Sequence, residues 1–158
     1  MEYVPKFPKP GKKSKKRPKP LSKRSKKKMD DGRQRIIKEL KSLCVEIASY
    51  GKKACEKCVR PALVYQVHHV ITKGSSKALE FDTDNLVYLC QGCHYQAHNA
   101  GYMDFALWFD KKFPGRCETL KLRKNNRFPC TKSNLELTKI GLERELKQLK
   151  GRENNGEF

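Results

Sequence analysis

Four of the seven cysteines and all four histidines fall between residues 55 and 98. In order they are Cys55 and Cys58, His68 and His69, Cys90 and Cys93, then His94 and His98, with Asn85 between the histidine pair and the second cysteine pair. Thirty-one residues separate the two CxxC pairs, a spacing that lets them close around one tetrahedral ion. Cys55, Cys58, Cys90 and Cys93 are therefore read as ligands of a structural zinc. Imidazole has an unperturbed pKa near neutrality, so each histidine can offer a lone pair to a cation or take up a proton at working pH. Four of them can divide into ligands and one base.

The flanking patterns indicate which elements position these groups. Ile36, Ile37, Leu40, Leu43, Cys44 and Ile47 recur at helical spacing over 33–50, and Gly51 is a natural stop. Leu63–Val70 reads as a short strand, Leu86–Leu89 as a second, with the loop 73–84 between them. Adjacent residues on a regular strand face opposite ways, so a strand end, bulge or turn is expected at His68–His69. His94 and His98 lie four apart and share one face of a short helix. Phe105, Leu107, Trp108 and Phe109 belong to a further helix ended by Pro114 and Gly115, its aromatic cluster packing on the metal knuckle. Ser133 and Glu136 form a capping-box pattern opening a helix with Leu135, Leu142, Leu146 and Leu149 on one side. That helix can pack on the first one or on a second copy, so a homodimer is open. Cys44, Cys117 and Cys130 read as small buried thiols.

Charge narrows the partner. The chain of 158 residues carries a formal net charge of +19, of which +12 lies in residues 1–28. Five prolines and lysine blocks make that segment a disordered basic arm, and the other residues are themselves basic. A surplus of this kind points to nucleic acid, because each neutralised phosphate releases counterions. No apolar run spans a bilayer and the start lacks a secretory leader, so an intracellular protein without membrane contact is expected. The expected organisation is the arm (1–28), an N-terminal helix (29–51), a metal-organised core (52–101) and a helical C-terminal region (102–158).

The order CxxC, His-His, Asn, CxxC-His resembles the HNH nucleases with a ββα-metal site, in the subgroup where two CxxC pairs bind structural zinc. The resemblance covers roughly Cys55 to Asn99. A looser likeness, through the basic segment and the aromatic helix, is to phage recombination nucleases of the lambda Rap type. The resemblance implies an α+β fold: a small zinc-stabilised ββα core with flanking helices and a basic arm. It also implies phosphodiester hydrolysis leaving 3′-hydroxyl and 5′-phosphate ends. On the family pattern His69 is the general base, Asn85 braces the loop carrying it, and His68 and His94 bind the catalytic ion. His98 completes a chelating HxxxH. Many relatives have Asp where this chain has His68; a nitrogen-rich site favours Zn, Ni or Mn, whereas a carboxylate would favour Mg.

Beside such a site, Lys73, Lys77, Lys121, Arg123, Lys124 and Arg127 are candidates for DNA phosphate contacts. Glu80, Asp82 and Asp84 read as turn formers rather than ligands. The expected activity is that of a metal-dependent DNA endonuclease, structure-specific or weakly sequence-specific, of the kind used in phage recombination. One alternative is a site-specific homing, nicking or restriction enzyme, for which no base-reading element is recognisable. Another is a noncatalytic zinc-stabilised nucleic-acid-binding protein.

Overall fold

The computed structural model describes residues 23–99 and 101–154. Helix α1 (Lys23–Ser49) leads to strand β1 (Tyr65–His69), a 3-10 turn (Thr83–Asn85), strand β2 (Leu86–Cys90) and helix α2 (Gln91–His98). Three helices follow: α3 (Tyr102–Lys112), α4 (Arg116–Lys124) and α5 (Lys132–Asn154). The architecture is α+β, with a ββα unit at its centre. The basic arm read over 1–28 lies outside the described residues up to position 22, and from Lys23 onward the chain is already helical.

β1 and β2 form one antiparallel pair in the register Tyr65↔Cys90, Val67↔Tyr88, His68↔Val87 and His69↔Leu86. This small sheet separates two cores. On one side Ile36, Leu40, Cys44 and Ile47 of α1 pack with Leu135, Leu142 and Leu146 of α5, and with Phe81 and Leu86. On the other, Val87 and Leu89 pack with Cys55, Cys93, Ala97, Phe105, Phe109 and Leu120.

The apolar stripe of α1 is the one the sequence pattern anticipates, and its chain reverses at Gly51, whose φ of 67° suits glycine. The long C-terminal helix packs on α1 within the same chain, and the Lys139–Glu39 and Lys150–Glu46 ion pairs, both at 2.8 Å, link the two. Its N-cap is Thr131, whose Oγ1 accepts from the Asn134 amide, so the expected Ser133 box lies two residues inside the helix. α4 has no counterpart among the expected elements.

Candidate functional site

The first CxxC sits in the loop after α1. Its backbone folds back on itself: the Val59 amide donates to the Cys55 carbonyl at 2.8 Å and the Cys55 amide to the Arg60 carbonyl at 3.1 Å. That closure puts Val59 in the left-handed region, φ 57°, a costly place for a β-branched residue. It also aims the Arg60 backbone N–H at Cys58, which pulls that thiol down to about 6 and favours the metal-binding thiolate. The second CxxC straddles the β2–α2 junction, with Cys90 at the end of the strand and Cys93 in the first turn of the helix. β2 and the first knuckle are tied by the Glu56 amide to the Tyr88 carbonyl at 3.0 Å.

The four sulfurs lie within 4.8 Å of one another, with Cys58 and Cys90 sulfurs at 3.9 Å. Burial pushes the Cys93 thiol up, so a cation is what would hold it as thiolate. A closed, largely buried S4 set suits zinc in a structural role.

On the far face of the sheet from α1, the ligand nitrogens of His68, His94 and His98 also lie within 4.8 Å of one another. The His68 ring is edge-on to His98 at 4.6 Å and to His94 at 5.3 Å, and rests against Phe105 at 4.8 Å. Burial, and then the nearness of His98 and His94, lower the pKa of His68 to about 4; burial lowers that of His94 too. The His68 and His94 rings are thus favoured in the neutral form, with lone pairs available. His68 Nδ1 is buried without a hydrogen-bond partner among the described residues, a cost that a cation at the cluster would relieve. His94 is half-buried and His98 exposed, so this cluster is open to solvent on one side, unlike the thiol site. Three nitrogen donors with an open side fit a reactive divalent cation. These two are the groups among the described residues whose donor atoms could hold a metal ion.

His69 points the other way. The two histidines are the last residues of a regular strand, so the expected strand end is there and the bulge is not. His69 Nε2 lies 3.0 Å from the Glu80 carbonyl. A carbonyl oxygen only accepts, so Nε2 carries the proton and Nδ1 keeps the lone pair. Burial lowers the pKa of this ring, which the Glu80 carbonyl partly opposes.

Asn85 is fully buried. Its Oδ1 accepts from the Ile71 amide at 2.7 Å, while Nδ2 donates to the Ile71 carbonyl at 2.8 Å and the Leu79 carbonyl at 3.0 Å. One side chain thus pins both ends of the 71–79 segment, and with it the Glu80 carbonyl that holds His69. Helix α4 braces the same region from outside. Arg116 donates to the Asp84 and Thr83 carbonyls and stacks on Phe113 at 4.7 Å; Arg123 bridges the Asp82 and Asp84 carboxylates, each at 3.0 Å; buried Ser76 donates to the Lys124 carbonyl at 2.9 Å.

Residues 55–100 match the HNH endonuclease family. The match begins at the first thiol and ends just past His98, under a third of the chain, leaving α1, α3, α4 and α5 outside it. An HNH segment indicates nuclease activity in general, metal binding and a nucleic-acid substrate. Comparison with curated proteins and with solved structures gives no significant match.

Within the matched segment the sequence-predicted residues divide into three places: Cys55, Cys58, Cys90 and Cys93 together, His68, His94 and His98 together, and His69 with Asn85 on the loop side. The basic candidates scatter. Lys73 borders His69, Lys77 pairs with Glu80 at 3.1 Å, and Arg123 is engaged with two aspartates, which makes it a brace. Lys121, Lys124 and Arg127 are exposed on and after α4 and do not border His69. Glu80, Asp82 and Asp84 form turns and ion pairs, as expected of them. Arg116 and Ser76 went unrecognised because nothing in local spacing marks a residue whose partners are 32 to 48 positions away. No helix among the described residues is long and apolar enough to cross a membrane.

Proposed function

We propose that the chain is a metal-dependent DNA endonuclease in which His69 is the general base. The observation that carries this reading is the placement of a three-imidazole cluster on one face of β1 and, on the next residue, a histidine whose Nε2 is engaged by a carbonyl. His69 Nδ1 takes a proton from water as the water oxygen bonds to phosphorus. The phosphorus–O3′ bond breaks, its electron pair leaves with O3′, and solvent protonates that oxygen, giving 3′-hydroxyl and 5′-phosphate ends. A divalent cation held by His68, His94 and His98 would supply positive charge against the charge that develops on a phosphate lying over the end of β1, where the two histidines are the last strand residues. The nitrogen-rich donor set favours Mn, Ni or Zn over Mg. Asn85 keeps the Glu80 carbonyl, and so the His69 ring, in place. Cys55, Cys58, Cys90 and Cys93 hold a zinc that staples the two knuckles and contributes folding free energy.

The substrate we favour is DNA chosen by shape more than by sequence, as in phage-type recombination, because a surplus concentrated in residues 1–28 and continued at lower density through the rest of the chain suits backbone contact. A noncatalytic zinc module is disfavoured by the orphaned His68 Nδ1, which purely structural packing would have satisfied or excluded. The test is incubation of the zinc-loaded protein with linear, nicked and branched duplexes under Mg, Mn or Ni. Cleavage with Mn or Ni, fastest on branched DNA, is expected; intact substrates under every ion would leave a binding module.

A further inference from the structure

The His69 side of the sheet opens into a groove of about 250 Å³ between α1 and the β1–β2 loop. Its floor is apolar, from Cys44, Val67, Phe81 and Leu86, and two cations border it. Lys41 comes from α1 and Lys73 from the loop, so they stand on opposite walls. Neither has a carboxylate partner among the described residues, whereas the groove's one acid, Glu80, is already paired with Lys77. Both ammonium groups are close enough to act electrostatically on the His69 ring. Two cations without an ion-pair partner among the described residues, brought to one groove from different elements beside an imidazole with an open lone pair, are arranged for an anion. Lys38, exposed one turn before Lys41 on α1, continues the basic track toward the helix start.

We propose that Lys41 and Lys73 clamp a backbone phosphate of duplex DNA across the His69 groove, so that α1, outside the HNH match, supplies part of the substrate contact. This rests on the nuclease reading for the placement of chemistry, but binding can be read without it. The apolar floor beneath the clamp accommodates the deoxyribose that adjoins the held phosphate.

The experiment measures anisotropy of a labelled duplex with the full-length, zinc-loaded chain and no second cation, over 50–200 mM salt. Wild type is compared with Lys41→Gln, Lys73→Gln and the double variant, and with Lys111→Gln and Lys112→Gln at the far end of α3 as controls. Each groove variant should lower the slope of log affinity against log salt by about one, so the double variant loses roughly tenfold less affinity than wild type across that range. Lys41→Arg should restore the slope, and melting should match wild type in every variant. Cleavage under Mn should show a raised KM in the groove variants alone. A slope unchanged in the double variant, or lowered equally by the α3 controls, overturns the clamp and leaves the nuclease reading standing. A lowered slope in protein that cuts nothing under any ion sustains the clamp and sinks the nuclease reading instead.

Discussion

His68 and His69 are consecutive in the chain and serve opposite faces of one strand. The His68 ring is buried 4.6 Å from His98, while His69 Nε2 reaches across the other side to the Glu80 carbonyl at 3.0 Å. The alternation that prevents both from meeting one ion would, on the proposed function, let a single dipeptide supply a ligand and a base. The second half of the site depends on the β1–β2 loop, and the loop depends on Asn85.

The proposed function predicts two independent metal centres. Cys90→Ser should release zinc and abolish the cooperative melt, because a structural zinc site contributes folding free energy directly. His94→Ala should keep one zinc per chain and a melting temperature within about 3 °C of wild type, while removing the second ion. Elemental analysis beside circular dichroism decides it; a matched loss of structure in both variants would mean that the histidines share the structural role.

Val59 offers a stability test outside the chemistry. It is 71% exposed with φ at 57°, so its side chain gains little from packing while its backbone bears left-handed strain. Relief of about 1–2 kcal/mol, less the roughly 0.5–1 kcal/mol of added unfolded-state freedom, should leave Val59→Gly more stable by about 0.5–1 kcal/mol. Thermal melts of the zinc-loaded protein measure this, and a lower melting temperature in Val59→Gly would show that the knuckle carries no strain there.

Asn85→Ala removes three buried hydrogen bonds and strands the Ile71 amide and two carbonyls. The expected loss is roughly 3 kcal/mol or more, together with faster amide exchange over residues 70–80. The thiol zinc should stay bound. Unchanged exchange in that segment would indicate that other contacts, such as those of Arg116 and Ser76, hold the loop by themselves.

Much of this site is legible in the sequence. The CxxC pairs declare themselves because a shared ion needs sulfur donors in short local pairs, and His94 with His98 because helical spacing brings them together. The apolar stripe of α1 identified one core for the same reason. What remained hidden was long-range: helix α4, whose few apolar residues leave only Leu120 buried, and its Arg116 and Arg123 contacts with the 82–84 turn. Lys41 escaped notice because a lysine on an amphipathic helix looks like a solvated face until the opposite wall of the groove is known. Arg123 misled in the reverse sense, a basic-run residue committed to Asp82 and Asp84. The Thr131 cap was displaced from the Ser133 pattern because the Pro129–Cys130–Thr131 approach turns the chain two residues earlier.

The most direct measurement is single-turnover cleavage of a duplex, with zinc-loaded protein in saturating excess over DNA and added Mn or Ni, wild type beside His69→Ala. A general base contributes typically 10²–10⁴-fold, so the variant should cut at least about 100 times more slowly with unchanged melting and metal content. Equal cleavage rates for the two proteins would contradict the assignment of His69 and, with it, the division of labour between the faces of β1.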